Sequence, residues 1–162
     1  MPLTQAQARI VAAQHRQKYL NSCSPSAIEL ILKLHGVVPV NFYDLQDLHQ
    51  NNNVGYEPFV GEPVHGVLFT EHHDNPPYIQ LRAHIALESH AGRAVIVSTR
   101  EPDGRFHIWL ATEWTMFDAH AISKDGNTPN GGTTREILLF QDRLMRWPHG
   151  HYLTYTLPNG NA

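Results

Sequence analysis

Residues 24–35, Ser-Pro-Ser-Ala-Ile-Glu-Leu-Ile-Leu-Lys-Leu-His, carry apolar side chains around most of a helical circumference. Ile28, Ile31 and Leu32 recur at helical spacing, and so do Ala27, Leu30 and Leu34. A helix with so little polar surface cannot lie on the outside of a fold, so other elements must cover it. Pro25 and its flanking serines suit a first turn, and Gly36 marks the stop. Glu29 and Lys33 fall on the remaining strip as an i, i+4 pair of opposite charge.

Around this helix the patterns divide. Helices are expected over 4–16, over 42–49 with Leu45 and Leu48 facing inward, and over 79–89. Residues 94–99 form a continuous apolar run with β-branched members, which suits a buried strand. Strands are also expected over 64–70, over a hairpin formed by 105–113 and 114–122, and over 151–157. Residues 123–133 read as a loop, and Thr133 with Glu136 makes a capping box for a helix reaching 147. Helices early and strands late predict an α+β fold, with a central buried helix packed on a C-terminal antiparallel sheet. The length fits one domain over 1–157, followed by a frayed tail at 158–162.

Several function classes are disfavoured. The formal charge is -3 and lysine and arginine are scattered, so no nucleic-acid surface is expected. No apolar run approaches membrane-spanning length, so no membrane partner is expected. Met1-Pro-Leu-Thr-Gln has no apolar signal core. The expectation is a cytoplasmic protein, or one exported without a recognisable signal peptide. Nothing in the pattern specifies an oligomeric state.

The chain has one cysteine, and Cys23 stands where the buried helix begins. Unpaired N–H groups and the helix dipole favour negative charge there, so its thiol is expected to ionise more readily than a free one. A thiol nucleophile needs a base, a partner that orients the base, and donors for the developing oxyanion. His107 opens the apolar stretch Ile108-Trp-Leu-Ala after a tight turn and is the candidate base. Asp118 is the candidate orienter, since the hairpin is expected to return it close to the start of the His107 strand. His120, Asp125 or Asn127 can fill the same role. Gln17, six positions before Cys23, can donate to an oxyanion together with the Cys23 backbone N–H.

Gln17-x5-Cys23 leads into a helix that ends in glycine; later come a helix, Gly92-Arg-Ala-Val-Ile-Val, a turn and His107-Ile-Trp-Leu. This order resembles the papain-like cysteine peptidases, in particular a small bacterial branch related to the bacteriocin-leader peptidases. The resemblance implies a papain-like fold, a peptide or protein substrate, hydrolysis of a peptide or isopeptide bond, and no cofactor. It gives Cys23 the role of nucleophile, His107 that of base, Asp118 that of orienter and Gln17 a place in the oxyanion hole. Two positions depart from that branch: Ser24 stands where it carries glycine, and Ala119 where proline follows the acid. Phe106-His-Ile-Trp-Leu and Phe117-Asp-Ala-His-Ala are loosely similar to NlpC-type cell-wall amidases, with His120 as third member, although Gln17 speaks against that family. The same thiol chemistry also fits deamidation of glutamine or amide transfer, and the same fold also suits a non-catalytic binding module.

Twelve histidines raise the question of metal. His72-His-Asp74 and His149-Gly-His151 are the densest groups, and alternate strand residues share a face, which would let His149 and His151 chelate. HExxH and cysteine–histidine zinc spacings are absent from the sequence. These histidines therefore read as solvated loop residues, and no metal is expected.

Overall fold

The structure, a computed structural model, describes residues 5–100, 102, 106–114, 119–123, 145–146 and 148–158. Helix α1 spans Gln5–Gln14, α2 Cys23–Leu34, α3 Asp44–His49 and α4 Tyr78–His90, with a short 3-10 turn at Glu57–Phe59. Strands are β1 Leu68–His72, β2 Val95–Arg100, β3 Phe106–Trp114, β4 Ala119–Ser123 and β5 Pro148–Thr156. They form one sheet in the order β1-β5-β2-β3-β4, and every pairing described is antiparallel. The last strand thus runs back through the sheet and lies between β1 and β2. The fold is α+β, as expected from the sequence.

Alternation along β2 explains the layering. Ile96 packs with Leu110, Leu153, Phe69 and Tyr155 against α2, whose Ile28, Leu30, Ile31 and Leu32 are fully buried. Val95 and Val97 face the other way and pack with Trp109, Ala111 and Tyr152 against Leu81 and Ile85 of α4. A strand covered on both faces needs no polar side, which accounts for its unbroken apolar run. α2 is the buried helix that the sequence pattern requires, with residues from Ser24 to Lys33 out of solvent.

Both long helices end in the same way. After α2, Gly36 adopts φ 66°, the Val37 N–H donates to Leu32 O at 2.9 Å and the Gly36 N–H to Lys33 O at 3.1 Å. Gly92 ends α4 with the matching pair of bonds, to Glu88 and Ser89. This is the Schellman arrangement, in which a left-handed glycine lets the chain recapture its last carbonyls.

Two expectations need correction. Leu48 is 72% exposed, not inward, and α3 buries Gln46 instead. Glu29 and Lys33, on the one polar strip of α2, are both buried. The β3–β4 hairpin turns after Trp114, pairing Trp114 with Ala119 and Trp109 with Ser123. The expected helix ending at 147 lies almost wholly outside the described residues.

Candidate functional site

Cys23 is the first residue of α2. The first helical hydrogen bond runs from the Ser26 N–H to Ser22 O at 2.9 Å, which makes Ser22 the capping residue. Pro25 has no N–H to satisfy, so the donors left at this helix start belong to Cys23 and Ser24.

The segment leading to Cys23 is fastened from behind by Gln46 of α3. Gln46 Oε1 accepts from the Lys18 N–H at 2.7 Å and from the Ser22 hydroxyl at 2.9 Å. Its Nε2 donates to Arg16 O at 3.0 Å and to Glu29 Oε1 at 2.7 Å. Glu29 reaches across from α2 and accepts the N–H groups of Leu45 and Gln46 at 2.9 and 3.0 Å. A carboxylate on one helix therefore caps the start of the next. Lys33, one turn on, bonds to His15 Nδ1 at 2.9 Å and lies 3.7 Å from the centre of the Tyr43 ring. His15 Nε2 in turn meets Ser26 at 2.9 Å. These buried polar groups satisfy one another and fix α1, α2 and α3 around the Cys23 approach.

In front of Cys23 lies a cavity of about 390 Å³. Its wall includes Ser24, Tyr56, Glu71, Ser98, Ile108 and His151. The face of the sheet toward α2 supplies most of these. Glu71 pairs with Leu153, which packs in the α2 core, and His151 lies two residues along β5 on the same face. His151 Nδ1 stands 3.4 Å from Glu71 Oε1, and both side chains are mostly buried. His73 Nε2 approaches the same carboxylate oxygen at 3.4 Å from the solvent side. These three residues are a group among the described residues whose donor atoms all lie within 4.8 Å of one another. The Tyr56 ring packs edge-on to His151, with centroids 6.1 Å apart. Its hydroxyl is buried near Cys23, Ser24 and Ser98, and makes no hydrogen bond of ordinary length among the described residues.

Burial sets the electrostatics of the site. Burial pushes the Cys23 thiol up, and this outweighs the lowering by the Ser24 hydroxyl and by the backbone N–H groups of Ser24 and Cys23. The helix start acts in the expected direction, but desolvation is larger. Cys23 is therefore a thiol that needs a base, not a ready thiolate. Burial and the neighbouring His73 push His151 down, so it is neutral near pH 7. Burial raises the Tyr56 hydroxyl well above its ordinary value, so it remains a donor.

Of the four sequence candidates, Cys23 lines the cavity. Gln17 is fully buried, and its Nε2 donates to Tyr19 O at 2.8 Å and Leu20 O at 3.1 Å. Its amide nitrogen holds the turn before Cys23. His107 is described by its backbone, which pairs with Thr99 of β2. Among the described side chains, Ser98 of β2 and Ile108 of β3, the next pair along, line the cavity. Asp118, Asp125 and Asn127 lie outside the described residues. The chain after Asp118 enters β4 opposite Trp114, about 24 Å along β3 from His107 at the usual rise per residue. His120 pairs with Glu113 at that same end.

Sequence reasoning passed over Tyr56, Glu71 and His151. His151 belonged to a recognised histidine pair, and Glu71 directly precedes another, but no local spacing joins them. No protein-family model matches the chain, and neither a curated protein nor a solved structure does.

Proposed function

We propose that the chain is a papain-like cysteine hydrolase that cleaves a peptide or isopeptide bond, with Cys23 as its nucleophile. The observation that carries this reading is the cavity at the head of α2, whose wall holds Cys23, His151 and Glu71 together. In this reading His151 is the base. A proton on Nδ1, directed at Glu71, leaves Nε2 as the basic nitrogen. The 3.4 Å separation is long for a hydrogen bond, and such contacts tighten when substrate fills a site.

The reaction then runs as acyl transfer. His151 Nε2 takes the thiol proton as sulfur attacks the carbonyl carbon, and the π electrons move to oxygen. The Cys23 N–H and the Tyr56 hydroxyl donate to that oxyanion. The tetrahedral adduct collapses, the C–N bond breaks, and the amine leaves with the proton from His151. Water, deprotonated by His151, releases the acyl group from sulfur as a carboxylic acid. The resemblance assigns the base to His107 instead, so both histidines belong in the test.

That test is the pH dependence of Cys23 alkylation by iodoacetamide, in the wild type and in His151→Ala and His107→Ala, alongside hydrolysis of a peptide library. Loss of turnover in Cys23→Ala and in His151→Ala, with alkylation moved to higher pH in the latter, is the expected result. The same effects in His107→Ala alone transfer the base to His107. Full turnover in Cys23→Ala sinks the hydrolase reading, and a thiol unreactive at neutral pH in every form points to a binding module.

A further inference from the structure

We propose that Glu71, His73 and His151 form a binding site for a divalent transition-metal ion of the zinc class at the rim of the Cys23 cavity. The topology builds it from two strands. The register that pairs Glu71 with Leu153 and His72 with Tyr152 continues to place His73 opposite His151. Glu71 lies on β1 and His73 directly follows its last residue; both approach His151, so all three groups converge at that end of the β1–β5 pair. Each histidine comes from one of the two dense groups in the sequence, and pairing across the strands unites them with a carboxylate.

The two distances to Glu71 suit a ligand set better than a hydrogen-bonded one. Glu71 Oε1 lies 3.4 Å from His73 Nε2 and 3.4 Å from His151 Nδ1. An N–H···O bond is usually 2.7–3.2 Å long. Metal–ligand bonds of about 2.0–2.1 Å in a tetrahedron put neighbouring ligand atoms about 3.3 Å apart. Two imidazoles and one carboxylate favour zinc and its first-row neighbours over calcium or magnesium, which prefer sets made wholly of oxygen. Solvent reaches His73, which gives an ion its way in, while Glu71 and His151 supply the buried side. The remaining coordination positions fall to water or to a ligand in the cavity.

Occupancy has a chemical consequence. A metal ion on His151 Nδ1 leaves the ring proton on Nε2, and an imidazole in that state cannot accept the thiol proton. Metal binding would then hold the hydrolase inactive. This consequence rests on the base role proposed above for His151; the binding site itself does not.

The experiment titrates the full-length, metal-free protein with zinc ion alone, by calorimetry and by competition with a chromophoric chelator. Histidine ring nitrogens are followed in parallel by NMR. The wild type is expected to bind one zinc ion at this site, with ring-nitrogen shifts at His73 and His151. His73→Ala, at an exposed position that leaves folding intact, and Glu71→Gln should each weaken this binding at least about tenfold, and Cys23→Ser should leave it unchanged. No binding, wild-type affinity in His73→Ala and Glu71→Gln, or equal loss in Cys23→Ser overturns the site. Displacement of zinc by a modest excess of magnesium or calcium overturns its assignment to transition metals. Because binding is read without substrate, a protein that takes up zinc but is inactive even when metal-free refutes only the hydrolase reading, and an active one that ignores zinc refutes only this site.

Discussion

Replacing Gln46 by alanine is the sharpest test of how the Cys23 approach is held. Gln46 is fully buried, and its amide makes four hydrogen bonds, three to the segment leading to Cys23 and one to Glu29 of α2. Alanine strips a partner from the Lys18 N–H, the Ser22 hydroxyl, Arg16 O and Glu29 Oε1. Ser22 keeps its contact with Tyr19 O at 2.9 Å, so one loss is partly covered. Each neutral bond is worth about 1 kcal/mol net, and the one to the carboxylate about 2 kcal/mol. The whole change should cost about 4 kcal/mol, a large share of the 5–15 kcal/mol typical of a domain. Equilibrium unfolding in urea, followed by tryptophan fluorescence at pH 7, reads it directly. A control is Asn21→Ala, which removes one exposed side-chain bond, from Nδ2 to Asn51 O, keeps the backbone bond to Asn51 Oδ1, and should cost no more than about 0.5 kcal/mol. A Gln46→Ala loss below about 1 kcal/mol, with an unchanged denaturant slope, would refute the idea that this amide is the fastening.

The remaining predictions concern the layers around that fastening. Burial raises the Glu29 carboxyl from 4.5 to about 7 and lowers the Lys33 ammonium from 10.5 to about 8. The carboxyl binds its proton more tightly when folded, so its contribution, about 3 kcal/mol, is present below pH 4.5 and lost as pH rises through 7. The Lys33 contribution is present above pH 10.5 and lost as pH falls through 8, so urea midpoints should pass through a minimum between pH 7 and 8 that Lys33→Met flattens on the alkaline side. Trp109 Nε1 donates to Thr99 Oγ1 at 2.9 Å in the α4 core, so Trp109→Phe should cost about 2 kcal/mol and Thr99→Val about 1, with the double variant less unstable than their sum; strict additivity would deny the coupling. Gly36→Ala should lower stability by about 1 kcal/mol, since φ at 66° strains any L side chain; an unchanged melting temperature would contradict that.

What the sequence disclosed of the fold was local in cause. α2, its glycine stop and the two-sided strand β2 each announce themselves within a dozen residues, because apolar periodicity and turn chemistry act at short range. Leu48 misled because a helical period gives a face but not the neighbour that covers it. The structure buries Gln46 in its place, and that burial succeeds only because Glu29, Arg16, Lys18 and Ser22 meet the amide from other parts of the chain. The burial of Glu29 and Lys33 was hidden for the same reason. Charges four residues apart on a helix are ordinarily solvated, and here each has a buried partner elsewhere, at α3 and at His15. No rule of spacing contains those partners.

The candidate site divides along the same line. The place of Cys23 at a helix start was legible, since Pro25 and the serines mark it. The state of its thiol was not, because dipole and N–H effects are properties of the helix alone, while desolvation belongs to everything packed around it. A protonated thiol in the cavity wall shifts the burden of activation to whatever base shares the cavity. The strand order decides which groups those are. With β5 running back between β1 and β2, the last strand carries His151 to the α2 face beside Glu71, eighty positions earlier in the chain. A simple sequential meander would have left β5 at the far edge and the cavity without this imidazole. On the proposed reading, the chemistry open to Cys23 follows from the placement of a single strand, which neither the cysteine motif nor the histidine spacing encodes.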